Sequence, residues 1–205
     1  MHKMIILFLL NAVVISALTA QEQQEKYKKA TEAEGLKAGA DAFLFRAGNQ
    51  NYNIYDLNKN LENGPVVLIF YRGQWCPVCS KHLSNLQDSL EFIYGKGASV
   101  VAISPEKPEY LQKTAGKTGA KFSLVYDEGY KISNAYGVTF RPDSATRALY
   151  NTVLKANLKN AHSDESSQLP VPATYIIGQD KKITWAHFDP DYKIRASVAE
   201  IIENL

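Results

Sequence analysis

Cysteine is nearly missing: the 205 residues hold two, Cys76 and Cys79. A scaffold of several disulfides is excluded. A zinc site is disfavoured as well, because it takes four ligands and this pair, with no Cys or His cluster beside it, brings two. An excess of one charge is lacking too, since 23 basic and 21 acidic residues leave +2. The runs Lys26, Lys28, Lys29 and Lys181, Lys182 are short and have acids nearby. No nucleic acid or strongly charged partner is implied. No internal repeat or low-complexity tract is found, and no apolar run reaches the roughly 20 residues of a membrane-spanning helix. What is there, 45% hydrophobic and 21% charged residues, is the composition of a soluble chain with room for one domain.

His2 and Lys3 precede an apolar stretch from Met4 to Leu18, broken by Asn11, and Thr19 and Ala20 lead into polar Gln21. This is the pattern of a secretory leader, residues 1–20, cleaved after Ala20; an uncleaved anchor is the alternative. Export would place the mature chain, without a membrane span, in the periplasm or outside the cell, where thiol pairs can oxidise. Residues 21–38 read as a polar tether or helix, and residues 39–205 as the single folded domain.

The two cysteines lie three apart in Trp75-Cys76-Pro77-Val78-Cys79. A disulfide between them would close so short a loop that stability is a poor reason for it, which leaves redox chemistry. Val66 to Tyr71 is a continuous apolar run, suited to a strand buried on both faces, and it stops at Arg72-Gly73. Beyond the turn, Cys79, Leu83, Leu86, Leu90 and Ile93 recur at helical spacing, so the motif opens a helix. Pro77 suits the first helical position, with Cys76 at the N-cap and Cys79 in the first turn. Free amides and the positive end of the helix dipole then favour a thiolate, lowering the nucleophile from about 8.5 toward neutrality. Such an anion, open to an entering molecule, attacks a peroxide or a disulfide, and its neighbour resolves the product into an internal disulfide.

The remaining pattern is α/β. Strands are expected over Ala98–Ser104 and Phe122–Tyr126, with helices over Lys107–Thr118 and Glu128–Tyr136, the latter closed by Gly137. Alternation of strand and helix implies crossovers and a largely parallel sheet. Ala173–Ile177 and Ile183–Phe188 form a hairpin around Gly178–Lys182. A last helix carries Ile194, Val198, Ile201, Ile202 and Leu205, with Asp191 as its cap. Asn49 to Leu57 reads as a peripheral strand after a turn. Gly137 to Leu169 is too long for an ordinary connection, and Ala145, Leu149, Val153 and Ala156 suggest a helix in it.

Three segments, Phe70 to Cys79, Val171-Pro172-Ala173-Thr174-Tyr175-Ile176-Ile177 and Phe188-Asp189-Pro190-Asp191-Tyr192, together resemble the peroxiredoxin-like branch of the alkyl hydroperoxide reductase and thiol-specific antioxidant (AhpC/TSA) family, within the thioredoxin superfamily. The likeness runs from about Gly39 to Leu205. It implies a thioredoxin-like α/β fold, with a central mixed, mostly parallel sheet flanked by helices, an N-terminal extension and a helical insertion. It also implies reduction of hydroperoxides through Cys76 and Cys79, by way of a sulfenic acid and an internal disulfide, recycled by a thioredoxin-like thiol donor and without a cofactor. In the peroxiredoxin segment Cys79 takes the peroxidatic place, Cys76 that of a Thr and Arg72 that of a Pro. The downstream peroxide-binding Arg would fall near Pro172 and is absent. In the thioredoxin pattern Cys76 attacks, Cys79 resolves, and a cis-proline lies beside them. Pro172 is the candidate for it and Pro170 the competitor, so a cis Val171–Pro172 bond against Cys76 is expected.

Supporting roles are assigned to Arg72, as a stabiliser of thiolate or peroxide oxygen, and to Trp75, as a cover for the sulfurs and a contact for a redox partner. Arg141 or Arg147, in the insertion, is a candidate replacement for the missing Arg. His82 reads as a surface residue rather than a proton shuttle, and His162 and His187 carry no pattern. No buried acid to move protons at the pair is recognisable. Three function classes stay open: a thiol-dependent peroxidase, an exported thiol-disulfide oxidoreductase, and a redox-inert binding module.

Overall fold

The computed structural model describes residues 29–205, so the expected leader and residues 21–28 of the polar segment lie outside the described residues. A short 3-10 turn, Ala30–Glu32, precedes a two-stranded antiparallel ribbon of β1 (Arg46–Gly48) and β2 (Ile54–Asp56). Asp56 then caps α1 (Leu57–Leu61) by accepting the Lys59 N–H at 3.1 Å. The apolar run becomes β3 (Val66–Phe70), every residue of it buried. The pair opens α2 (Pro77–Asp88), and α3 (Leu90–Gly95) continues it beyond a break at Ser89, whose φ of -109° and ψ of 11° leave the helical region. The expected single helix is thus two, yet its stripe, Leu83, Leu86, Leu90 and Ile93, stays buried throughout.

There follow β4 (Ser99–Ser104), α4 (Pro108–Thr118) and β5 (Ser123–Tyr126), close to the expected bounds. The next segment is a 3-10 turn over Glu128–Tyr130 and then α5 (Lys131–Ala135). The insertion holds β6 (Thr139–Phe140), α6 (Ser144–Thr152), α7 (Leu158–Ala161) and β7 (Leu169–Pro170). The hairpin is β8 (Ala173–Ile177) and β9 (Ile183–Phe188), and α8 (Val198–Glu203) ends the domain. The sheet order is β5-β4-β3-β8-β9. β3/β4 and β4/β5 are parallel, whereas β3/β8 and β8/β9 are antiparallel, so the sheet is mixed in equal parts.

Alternation along the strands splits the core in two. Val67, Ile69 and Tyr71 face α2 together with Val100 and Ala102, while Val66, Leu68 and Phe70 share the opposite face with Val101 and Ile103.

Three local expectations change. The last helix starts at Ser197 rather than Asp191, because Ser197 Oγ accepts the Glu200 N–H and the Glu200 carboxylate accepts the Ser197 N–H, a reciprocal cap. The stripe chosen from spacing does not run along one helix: α6 ends at Thr152, Leu149 and Val153 are exposed, Ala156 beyond the helix is buried, and Tyr150 turns inward against the core. The Val171–Pro172 bond is trans, as is every peptide bond among the described residues. Its surroundings account for this: Pro170 is paired with Thr139, the Val171 N–H donates to the Val138 carbonyl at 2.7 Å, and Ala173 opens β8, so the segment is extended on both sides.

Candidate active site

The sulfurs sit where β3 runs into α2. Cys76 is the N-cap and Pro77 the first helical residue, as the sequence predicts. Its Sγ accepts the Cys79 N–H at 3.3 Å, satisfying one of the helix's unpaired donors. Two guanidinium groups close the site. Arg72 Nη2 donates to Cys76 Sγ at 3.4 Å, and Arg195 Nη2 donates to Cys79 Sγ at 3.4 Å. Arg72, with 2% of its surface exposed, is buried in the site. Its carbon centre lies 3.8 Å from the Tyr192 ring, 5.1 Å from Trp75 and 5.3 Å from Tyr150, and its Nη1 donates to Tyr150 Oη at 3.0 Å. Arg195 is fixed by its Nε, which donates to the Tyr192 carbonyl at 2.6 Å.

Both cysteines are reduced and 0% exposed, a correction to the expectation of open sulfurs. The cover is the cationic and aromatic layer just described. Trp75 belongs to it, its ring tilted against Tyr150 with centroids 4.8 Å apart, but is itself buried and offers a partner little surface. The insertion reaches the site through Tyr150: Arg147 donates to the Pro142 carbonyl, while Arg72 and Arg195 donate to the sulfurs.

The pair divides its protons unequally. Burial pushes the Cys79 thiol up, but the hydrogen bond from Cys76 and the charges of Arg195 and Arg72 outweigh it and hold Cys79 well below the ordinary thiol value. The hydrogen bond that Cys76 gives Cys79, with burial and the Cys79 charge, holds the Cys76 thiol well above it. These directions favour the anion on Cys79 over Cys76 in the reduced pair.

A buried acid is present after all. Glu106, 0% exposed, follows the end of β4, which pairs with β3, the strand leading into Arg72. Its Oε2 accepts the Gln74 N–H at 2.7 Å, tying it to the active-site turn. Burial, reinforced by the Cys79 charge, pushes its carboxyl up to about 8. Gly73 shapes the same corner: its φ of +154° suits glycine, and a Cβ there would lie 2.6 Å from both Glu106 Oε1 and Trp75 Nε1. His82 is buried, not on the surface, with Nε2 3.1 Å from the Ala196 carbonyl, and burial lowers its pKa to about 4. His162 pairs with Tyr130 Oη at 3.1 Å, remote in sequence from the motif.

Sequence reasoning missed Arg195, Tyr192, Tyr150 and Glu106 as site residues. Arg195 meets Cys79 across 116 positions, which no local period reports. For Glu106 a signal existed. It lies just past the carboxyl end of a buried parallel strand, the edge at which open α/β sheets place their chemistry.

The AhpC/TSA family model matches residues 38–186. The chain belongs to the AhpC/TSA family. Among curated proteins it is 30% identical over 103 residues to peroxiredoxin Bcp of Escherichia coli, covering 50% of this chain and 65% of that protein. It is 27% identical over 127 residues to the thiol-disulfide oxidoreductase ResA of Halalkalibacterium halodurans, covering 58% of this chain and 72% of that protein. Of solved structures, the peroxidoxin BcpB of Mycobacterium tuberculosis superposes with a TM-score of 0.64 at 21% identity, covering 82% and 96% of the two chains, a likeness of fold.

Proposed function

We propose that the protein is a thiol-dependent peroxidase acting outside the cytoplasm, in which Cys79 attacks a hydroperoxide and Cys76 resolves the sulfenic acid into an internal disulfide. A thioredoxin-like dithiol then restores the pair. The observation that carries this reading is the placing of guanidinium groups on both sulfurs, with Cys79 flanked by Arg195 and influenced by Arg72. Fixed cationic donors stabilise the thiolate and the charge that develops on the leaving oxygen. Arg195 thereby serves in place of the Arg missing near Pro172. Because the sulfurs are covered, entry of a peroxide requires Tyr192, on the loop after β9, to shift while Arg195 stays beside Cys79.

A second reading, exchange of protein disulfides, is supported by the resemblance to ResA and the Cys-x-x-Cys spacing. The trans Val171–Pro172 bond removes its thioredoxin argument. Rates of the reduced protein with hydrogen peroxide and with a mixed disulfide, in Cys76→Ser and Cys79→Ser variants, separate the two. A sulfenic acid trapped on Cys79 in Cys76→Ser supports the peroxidase. A mixed disulfide forming through Cys76 alone, with no response to peroxide, overturns it.

A further inference from the structure

Two electrons leave the cysteine pair together with one proton, and the acceptor needs two. Reduction of a hydroperoxide to alcohol and water, or of a disulfide to two thiols, takes up two protons with two electrons, while a thiol beside a thiolate supplies one. The second proton has an address in the structure. Glu106 is wholly buried at the end of β4, its Oε2 is committed to the Gln74 N–H, and its Oε1 meets no hydrogen-bond partner among the described residues. Trp75 Nε1 is likewise unpartnered, and both atoms flank the same face of Gly73. The groups that act on Glu106 are Cys79 from α2 and Lys113 from α4, and Glu106 in turn acts on Tyr71 at the end of β3.

We propose that Glu106 carries the second proton of the redox cycle, entering as a neutral acid and leaving as a carboxylate when the disulfide forms. In the first step the Cys79 thiolate attacks the peroxide, the S–O bond forms, the O–O bond breaks, and the departing oxygen takes the Glu106 proton. In the second, Cys76 sulfur attacks the sulfenic sulfur, the S–S bond forms, and hydroxide leaves with the Cys76 proton as water. A dithiol donor then returns two electrons and two protons, one proton to Cys76 and one to Glu106. Charge is conserved locally. Oxidation deprives Arg72 and Arg195 of their anion, and the new carboxylate, tied to the same active-site turn through the Gln74 N–H, replaces it. Burial and the Cys79 charge keep Glu106 protonated while the thiolate exists, and removal of that charge favours its release.

The proposal rests on the pair cycling between dithiol and disulfide, and on the peroxidase reading only for one choice of oxidant. The test is proton counting. The reduced full chain at pH 7, in weak buffer with an indicator dye, is oxidised once by hydrogen peroxide in one arm and by glutathione disulfide in the other. The expected uptake from solution is near zero for the native protein and about one proton per disulfide formed for Glu106→Gln. Equal uptake in the two proteins overturns the proposal. A silent peroxide arm beside a normal glutathione arm sinks the peroxidase reading and leaves this one standing. Should Glu106→Gln fail to fold, the native protein suffices. Its infrared difference spectrum must show a protonated carboxyl stretch in the reduced state that disappears on oxidation, and absence of that loss refutes the role.

Discussion

The two faces of the central sheet are made from the same alternating strands and differ in what they tolerate. One packs Phe70, Tyr136 and Tyr175 as touching rings with centroids 5.2 to 6.1 Å apart. The other buries two thiols, a guanidinium and a carboxyl among Val67, Ile69, Leu83 and Leu86. Burying a charge costs heavily unless it is matched, and here the match is reciprocal: thiolate against guanidinium, neutral acid beside thiolate. The aromatic face holds the domain together, and the sulfur face spends stability on chemistry.

Substitutions on each face should therefore separate. The largest effect is on the sulfur face, where Cys79→Ser lowers the second-order rate with hydrogen peroxide on the order of 10^3-fold or more, measured by stopped-flow, with the fold intact. On the aromatic face, Phe70→Ala destabilises by about 3–5 kcal/mol in urea unfolding. The thiolate absorbance at neutral pH is unchanged where the variant remains folded, and loss of both together would erase the distinction. Next, Arg195→Leu lowers the peroxide rate about 10^2-fold, in keeping with the loss of one oxyanion donor, and moves the Cys79 thiol upward.

Stability against pH sharpens the contrast. The folded state holds a proton on Glu106 that the unfolded chain releases, which makes stability fall as pH rises from about 4.3 toward about 8. Cys79 works in the opposite sense, since the unfolded thiol holds a proton that the folded site lacks up to about pH 8.5. Between pH 6.5 and 8 the two contributions oppose each other in the native protein. Glu106→Gln exposes the Cys79 slope, so its stability should rise with pH in that window. A flat profile in the variant would contradict the unequal sharing of protons. Below about pH 6.5, stability falls in both proteins as the buried His82 and His162, each held down to about 4, resist charging. The smallest effect belongs to the cap of the last helix: Ser197→Ala costs about 1 kcal/mol in the same unfolding assay.

Much of this was legible from residues alone, for a physical reason. Buried strands such as Val66–Phe70 and the amphipathic α2 advertise themselves through local period, and Pro77 marks the helix start. The hairpin Ala173–Ile177 and Ile183–Phe188 was read to the residue because turn chemistry separates two apolar runs. The site was half legible. Cys76, Cys79, Arg72 and Trp75 lie in one short segment, whereas Arg195 and Glu106 come from other elements and owe their roles to tertiary approach. His82 misled because a histidine among polar helix residues looks solvent-facing until the chain around Ala196 is seen to cover it.

The most direct measurement is thiolate absorbance against pH in the native protein and in the Cys76→Ser and Cys79→Ser variants. The arrangement of Arg72 and Arg195 predicts one thiolate already present at neutral pH, retained in Cys76→Ser and gone in Cys79→Ser. Thiolate appearing only in strong alkali in the native protein, or surviving in Cys79→Ser, would contradict it.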